Sequence, residues 1–275
     1  MEAARRKEDK PLMVIWGDCI PLPCGSERIS YDSTYAGLLQ KALPSWDIIN
    51  RAVPKLTASR QLTMIQNDLK FLDPDLSIIH SGVADLFPHL VYQTFRVNIP
   101  PMNMVISRVQ NLHSKLLDRI WLNHITFLAR ARMHKHKILK LPIIQYTPLN
   151  AFQKHFKSIL ALLKTKRTNI IVIGLAKPKK YLKNKVPEIN SLVSAFNDTL
   201  KELSKRHRAV YIDCWKLGNH KFLQEDSIHL SVFGHKAIFN QIYDYCVECF
   251  PFATEESPTE TEYPPSHPDQ ASYSL

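Results

Sequence analysis

Glycine is scarce in this chain, with seven in 275 residues. None falls into a Gly-x-x-x-x-Gly-Lys-Ser/Thr phosphate loop or a Gly-x-Gly-x-x-Gly dinucleotide loop, so nucleotide cradles of those kinds are excluded. Long apolar runs are missing too. The charged start, MEAARRKEDK, is followed by only the short apolar stretch 12–16 before Gly17. That is too short for a signal-peptide core or a membrane span. No other stretch approaches a span, so a cytoplasmic protein without a transmembrane segment is expected. Cysteine is sparse and odd in number: Cys19, Cys24, Cys214, Cys246 and Cys249. Such a set does not make a disulfide scaffold. Cys246-x-x-Cys249 lacks the second pair that a structural zinc site needs, and His134-x-His136 lies in a lysine-rich stretch that reads as basic surface. No metal and no cofactor is expected.

Acidic residues nearly vanish between positions 101 and 185, where 18 Lys and Arg accompany one acid, Asp118. A solvated basic surface would normally carry acids as well, so an anionic partner or substrate is favoured. RNA, anionic lipid headgroups and phosphate-bearing carriers all fit, and charge does not choose among them. Lys135, Lys137, Lys177, Lys179 and Lys180 are the candidate contacts. The segment has no recognised nucleic-acid motif and no regular row of aromatics for base stacking.

What is present is an alternation of strand-like and helix-like segments. Short apolar runs at 12–16, 46–49, 76–80, 169–174 and 209–213 read as strands, and 169–174 (NIIVIG) is typical of a strand covered on both faces. Helical spacing appears at 34–43, 59–71, 189–207 and 233–247. Strands separated by helices predict an α/β fold: a three-layer α/β/α sandwich with a mostly parallel sheet of about five strands. A single domain over 1–250 is expected, with a basic, mainly helical insertion at about 90–168. That region holds apolar repeats at Val105–Ile120 and Phe152–Leu163 and a possible further strand at 141–147. Residues 251–275 carry five acids and no bases amid Pro, Ser and Thr, and are expected to be a disordered acidic tail. Oligomeric state is not encoded in these patterns.

Two segments carry chemistry. Trp16-Gly17-Asp18-Cys19 places a thiol where the first strand gives way to a loop. Asp226-Ser227-Ile228-His229-Leu230-Ser231, followed by Gly234-His235, places a carboxylate and an imidazole three residues apart. Nucleophile, base and orienting acid are the minimum set for covalent acyl transfer. Between them lie Asn50-Arg51-Ala52 with Thr57 after the second strand, and Gly82-Val83-Ala84-Asp85 after the third.

In order and placement these four blocks resemble those of the SGNH, or GDSL, hydrolase family, over about residues 12–247. The family has serine where this chain has Cys19, glycine at Ala52 and asparagine at Ala84. The resemblance implies the three-layer fold and a Cys19–His229–Asp226 triad acting on an ester or thioester substrate, possibly on an anionic carrier, as a hydrolase or acyltransferase. It implies an oxyanion hole from the N–H groups of Cys19 and Ala52, with Asp18, Asn50, Gly82 and Ala84 lining the pocket. Ala84 supplies no side-chain donor, and Asn50 or His80 is the candidate substitute. A thiol needs less activation than a hydroxyl because its pKa lies closer to neutrality. Asp18 reads as structural, bonding the backbone of neighbouring loops. The alternative is a catalytically impaired module of the same fold that binds RNA or another polyanion through the basic segment.

Overall fold

The computed structural model describes residues 10–86, 147–179, 188–217 and 221–251. Five strands form one sheet: β1 (Leu12–Gly17), β2 (Asp47–Asn50), β3 (Leu76–His80), β4 (Asn169–Ile173) and β5 (Val210–Ile212). Their spatial order is β2-β1-β3-β4-β5 and every pairing is parallel. Alternate side chains of each strand enter different cores, as the period of two requires. Met13, Ile15, Ile78, Ile171 and Ile173 point into one core. Val14, Trp16, Ile79, Ile170 and Val172 point into the other. Both faces of the central strands are therefore apolar, which is why they read as continuous hydrophobic runs.

Helices cover each face. α1 (Tyr35–Ala42) and α6 (Val232–Cys249) supply the first core. α2 (Ala58–Asp68), α4 (Leu149–Thr165) and α5 (Ile189–Arg206) supply the second. A single short turn, α3 (Val83–Leu86), follows β3. Thr34 caps α1 by accepting the Gly37 N–H at 3.1 Å, and Ser231 caps α6 by accepting that of Gly234 at 3.4 Å. At α2 the Thr57 side chain makes no cap bond, and the buried Asp85 carboxylate accepts the Ala58 N–H at 2.9 Å instead. Scarce glycine shows at the helix ends. Arg167 (φ 57°) and Arg208 (φ 55°) take the left-handed position after α4 and α5 that glycine usually fills.

α4 falls within the basic, mainly helical insertion expected at about 90–168, and it packs between α2 and α5 in the second layer, with Phe152, Phe156, Ile159 and Leu163 fully buried. Such stacked phenylalanines are worth about 3–5 kcal/mol each against alanine. α2 stops at Asp68, short of the expected 71, and Phe71 is 88% exposed. Residues 90–146 of the expected insertion lie outside the described residues, as do the expected strand at 141–147 apart from Thr147, a bend, and the tail apart from Pro251. Among the described residues no helix is long and apolar enough to cross a membrane.

The chain runs outward from β1 to β2 and then crosses to β3 on the other side. That reversal opens a crevice at the carboxyl ends of β1 and β3, the usual ligand position in open parallel sheets. Gly17 and His80 are register partners there.

Candidate active site

Cys19 emerges two residues after β1, and the loop carrying Asp226 and His229 leads into α6. The loop folds on itself through an antiparallel bridge between Leu223 and Leu230 and through the Gln224 N–H to the His229 carbonyl at 2.8 Å. His229 Nδ1 lies 2.8 Å from Asp226 Oδ2, and His229 Nε2 lies 3.1 Å from Cys19 Sγ. The other carboxylate oxygen, Oδ1, accepts the N–H groups of Ile228 and His229, each at 2.9 Å. Burial would push the Asp226 carboxyl up, but the bonds from the His229 ring and from these two N–H groups outweigh it and hold the group below the usual carboxylate range. An ionised carboxylate only accepts, so Nδ1 carries the proton and Nε2 turns its lone pair to the thiol.

The thiol is not close to neutrality. Burial pushes the Cys19 pKa well above the ordinary value, and the negative groups at Asp18, Cys24 and Asp226 push it further. This favours the protonated thiol over a preformed thiolate–imidazolium pair.

Asp18 is fully buried. It accepts the Ile20 N–H at 3.1 Å on one oxygen and those of Val83 and Ala84 at 3.0 and 3.3 Å on the other. It joins the loop that carries Cys19 to the segment after β3. Burial raises its pKa to about 6 against the pull of these donors. Gly82 sits at φ 117°, a conformation that costs a side chain strain, and lets β3 turn into α3. Arg51 holds Asp68 with two bonds, at 3.0 and 2.8 Å, while Asp68 also accepts the Trp16 indole N–H at 2.9 Å. The second block is thereby fastened to β1 and α2.

The oxyanion groups expected from sequence are placed unequally. Among the described residues the Cys19 N–H bonds no other backbone group, and it acts on its own sulfur. The Ala52 N–H is taken by the Asn50 side-chain oxygen at 3.1 Å. The Asn50 amide nitrogen is committed too, to the Pro21 carbonyl at 3.2 Å and the Tyr31 hydroxyl at 3.4 Å. Asn50 is therefore a loop tie rather than a spare donor. Ala84 turns its N–H to Asp18.

A cavity of about 10 Å³, the room of about one water molecule, is lined in part by Ile20, Ile228 and Leu230, the chain neighbours of Cys19 and His229, though not by Cys19, Asp226 or His229 themselves. Ile20, Val83, Leu175, Ile228, Leu230 and Ile238 make it apolar, with His80 and Cys214 in its wall. Asp18, Asn50, Gly82 and Ala84, expected to line the pocket, do not line this cavity, because Asp18, Asn50 and Ala84 are engaged in holding the loops together. Cys19 packs against the same core cluster that supplies Ile20, Cys214, Leu230 and Ile238.

Behind the cavity, His80 Nδ1 meets the Tyr35 hydroxyl at 3.3 Å, and His235 Nδ1 accepts the Tyr35 N–H at 3.3 Å. Burial depresses His80 to about 3, helped by His235, and depresses His235 to about 4, helped by His229. Both are neutral at pH 7. The Tyr35–His235 contact left no pattern in the sequence.

Of the expected polyanion contacts, Lys177 is exposed with its ammonium 5.4 Å from the Trp215 ring, and Lys179 is half-buried. Lys135, Lys137 and Lys180 lie outside the described residues. Among the described residues no cluster of His, Cys, Asp and Glu could hold a metal.

Residues 16–237 match the model of the GDSL-like Lipase/Acylhydrolase family. The chain belongs to that family. Solved structures share the fold at low identity. A lipase/acylhydrolase from Enterococcus faecalis is 14% identical at a TM-score of 0.55, over 87% of this chain and 96% of that one. The psychrotrophic esterase EstA from Pseudoalteromonas sp. is 14% identical at 0.53, over 88% and 100%. The acetyl xylan esterase AlAXEase is 13% identical at 0.55, over 85% and 98%. No curated protein matches the chain in sequence.

Proposed function

We propose that this protein is an acyl hydrolase or acyltransferase in which Cys19 is the nucleophile, His229 the general base and acid, and Asp226 the group that orients His229. The observation that carries this reading is the unbroken line from Asp226 Oδ2 through the His229 ring to Cys19 Sγ, at 2.8 and 3.1 Å. Cys19 Sγ attacks the acyl carbonyl while its proton passes to His229 Nε2. Asp226 stabilises the imidazolium so formed. His229 then protonates the departing alcohol or thiol, leaving an acyl thioester on Cys19. Water or an acceptor hydroxyl or thiol, deprotonated by His229, attacks the thioester carbonyl and takes the acyl group, and the proton passes from His229 back to the departing Cys19 sulfur.

The acyl group is short. The neighbouring cavity admits about one small group and its wall is largely apolar, which suits the methyl of an acetyl ester or thioester. An acetyl xylan esterase with the same fold fits that size class. Thioesters are the preferred substrates, because they need less oxyanion assistance than esters and Ala84 offers no side-chain donor.

Lys177 directly follows Ala176, a cavity residue. This favours an acyl group presented on an anionic carrier, with the basic segment 101–185 as its guide. The same charge supports the binding-module reading, in which the segment holds RNA or anionic lipid. The two separate in one experiment: hydrolysis of acetyl and octanoyl thioesters and esters by the protein and by Cys19→Ala, at rising salt. Acetyl thioester turnover that disappears in Cys19→Ala supports the enzyme. No turnover on any substrate, together with RNA binding that weakens steeply with salt, supports the module.

A further inference from the structure

Cys19 and His229 are 210 residues apart and must stay within 3.1 Å. Two of the bonds that bring their loops together end on one side chain, that of Gln224. Gln224 is fully buried. Its amide nitrogen donates both hydrogens, one to the Leu230 carbonyl at 2.8 Å within the base loop and one to the Cys24 carbonyl at 2.9 Å in the nucleophile loop. Its amide oxygen accepts the Glu27 N–H at 2.8 Å. Gly25, at φ 121°, lies so close that any Cβ there would collide with the Gln224 amide oxygen. This seating presents Ser26 to Asp226 reciprocally. The Ser26 N–H reaches Asp226 Oδ2 at 3.2 Å, and the Asp226 N–H reaches Ser26 Oγ at 3.2 Å. Oδ2 is the same oxygen that orients the His229 ring.

We infer that Gln224 is a positioning residue, clamping the 24–27 loop onto the base loop so that the Asp226–His229 pair meets Cys19. The inference rests on the cysteine acyl-transfer reading for its consequence but not for its geometry. Only an amide serves at this point. Two carbonyl oxygens need two donors and one N–H needs an acceptor. Glutamate turns a carboxylate toward both carbonyls. Methionine keeps the length but leaves three backbone groups without this partner, the buried Leu230 carbonyl among them.

The test reads the pairing of Cys19 with His229 by the rate at which iodoacetamide alkylates Cys19, followed by peptide mass mapping at about neutral pH. This probe requires no acyl turnover. Gln224→Glu, Gln224→Met and Ser26→Ala are compared with the unaltered protein, each also in a His229→Ala background, with melting temperature as the check on folding. Gln224→Glu should slow alkylation roughly tenfold or more, since small displacements of paired groups cost rates of that order. It should slow it no further once His229 is absent, because both changes remove the same assistance. Turnover should fall in kcat with KM little changed. Ser26→Ala, at an exposed position, should fold normally and slow alkylation several-fold, and it decides the matter if both Gln224 variants fail to fold. A folded Gln224 variant, or Ser26→Ala in that case, that alkylates as fast as or faster than the unaltered protein overturns the inference. So does an equal loss in the His229→Ala background. Absence of any acyl transfer by the unaltered protein would refute the proposed reaction while leaving this comparison readable.

Discussion

Acid should unfold this protein through two histidines that the core holds neutral. His235 accepts the Tyr35 N–H on Nδ1, so the proton that would charge it must enter where a donor already points. His80 is enclosed at the end of β3. Folding depresses their pKa values to about 3 and about 4 for His80 and His235, against about 6.5 in the unfolded chain. Below about pH 6.5 the unfolded chain binds protons that the folded one refuses, so stability falls as pH falls. Asp18 acts in the opposite sense. Its folded pKa of about 6 lies above the unfolded value of 3.8, so acidification through that window favours the fold. From about pH 7 to about pH 4.5 the histidines together cost about 5 kcal/mol and Asp18 offsets about 2, a net loss of about 3 kcal/mol. Urea titrations at the two pH values measure this. His235→Asn keeps an oxygen for the Tyr35 N–H and does not titrate, so it should remove about half of the histidine contribution, roughly 2–3 kcal/mol. A stability that is level or rising toward about pH 4.5, or a pH response in His235→Asn equal to that of the unaltered protein, would refute the reasoning.

Asp226→Asn should leave His229 in the wrong tautomer and lower kcat about 10³–10⁴-fold with KM little changed, read on an acetyl thioester. Asp18→Asn turns an amide NH₂ toward backbone donors and should destabilise the protein by about 1–3 kcal/mol in urea titrations at pH 7. Ala84→Asn should raise ester turnover at least about tenfold relative to thioester turnover if it restores an oxyanion donor. Unchanged ratios in a folded variant would place the stabilising groups elsewhere, with His80 the first candidate.

The sheet was legible in the sequence because its central strands are buried on both faces, so Ile170–Ile173 is apolar without interruption and Leu76–His80 nearly so. α4 was legible as a helix but not as part of the sandwich, since an apolar spacing does not say against which layer it packs. The last block stood out because Asp226 and His229 are close in the chain. Three features of the site did not. The capture of the Ala52 N–H by Asn50 depends on where the Asn50 side chain turns in the folded loop. The elevated thiol of Cys19 depends on burial and on charges from Asp18, Cys24 and Asp226, the last of these brought in from a distant loop. Gln224 is a polar residue in an unremarkable loop until the fold brings Cys24 and Glu27, about 200 positions earlier, onto its amide. Ser227 at φ 67° likewise adopts a glycine conformation without being glycine.

The central claim is that an acyl group passes through the sulfur of Cys19. Intact-mass measurement of the protein mixed with an excess of an activated acetyl thioester and quenched in acid tests it most directly. The account predicts a single added acetyl group, mapped to the peptide bearing Cys19, formed more slowly in His229→Ala and absent in Cys19→Ala. Acetylation elsewhere with Cys19 unmodified, or turnover that survives Cys19→Ala, would contradict it.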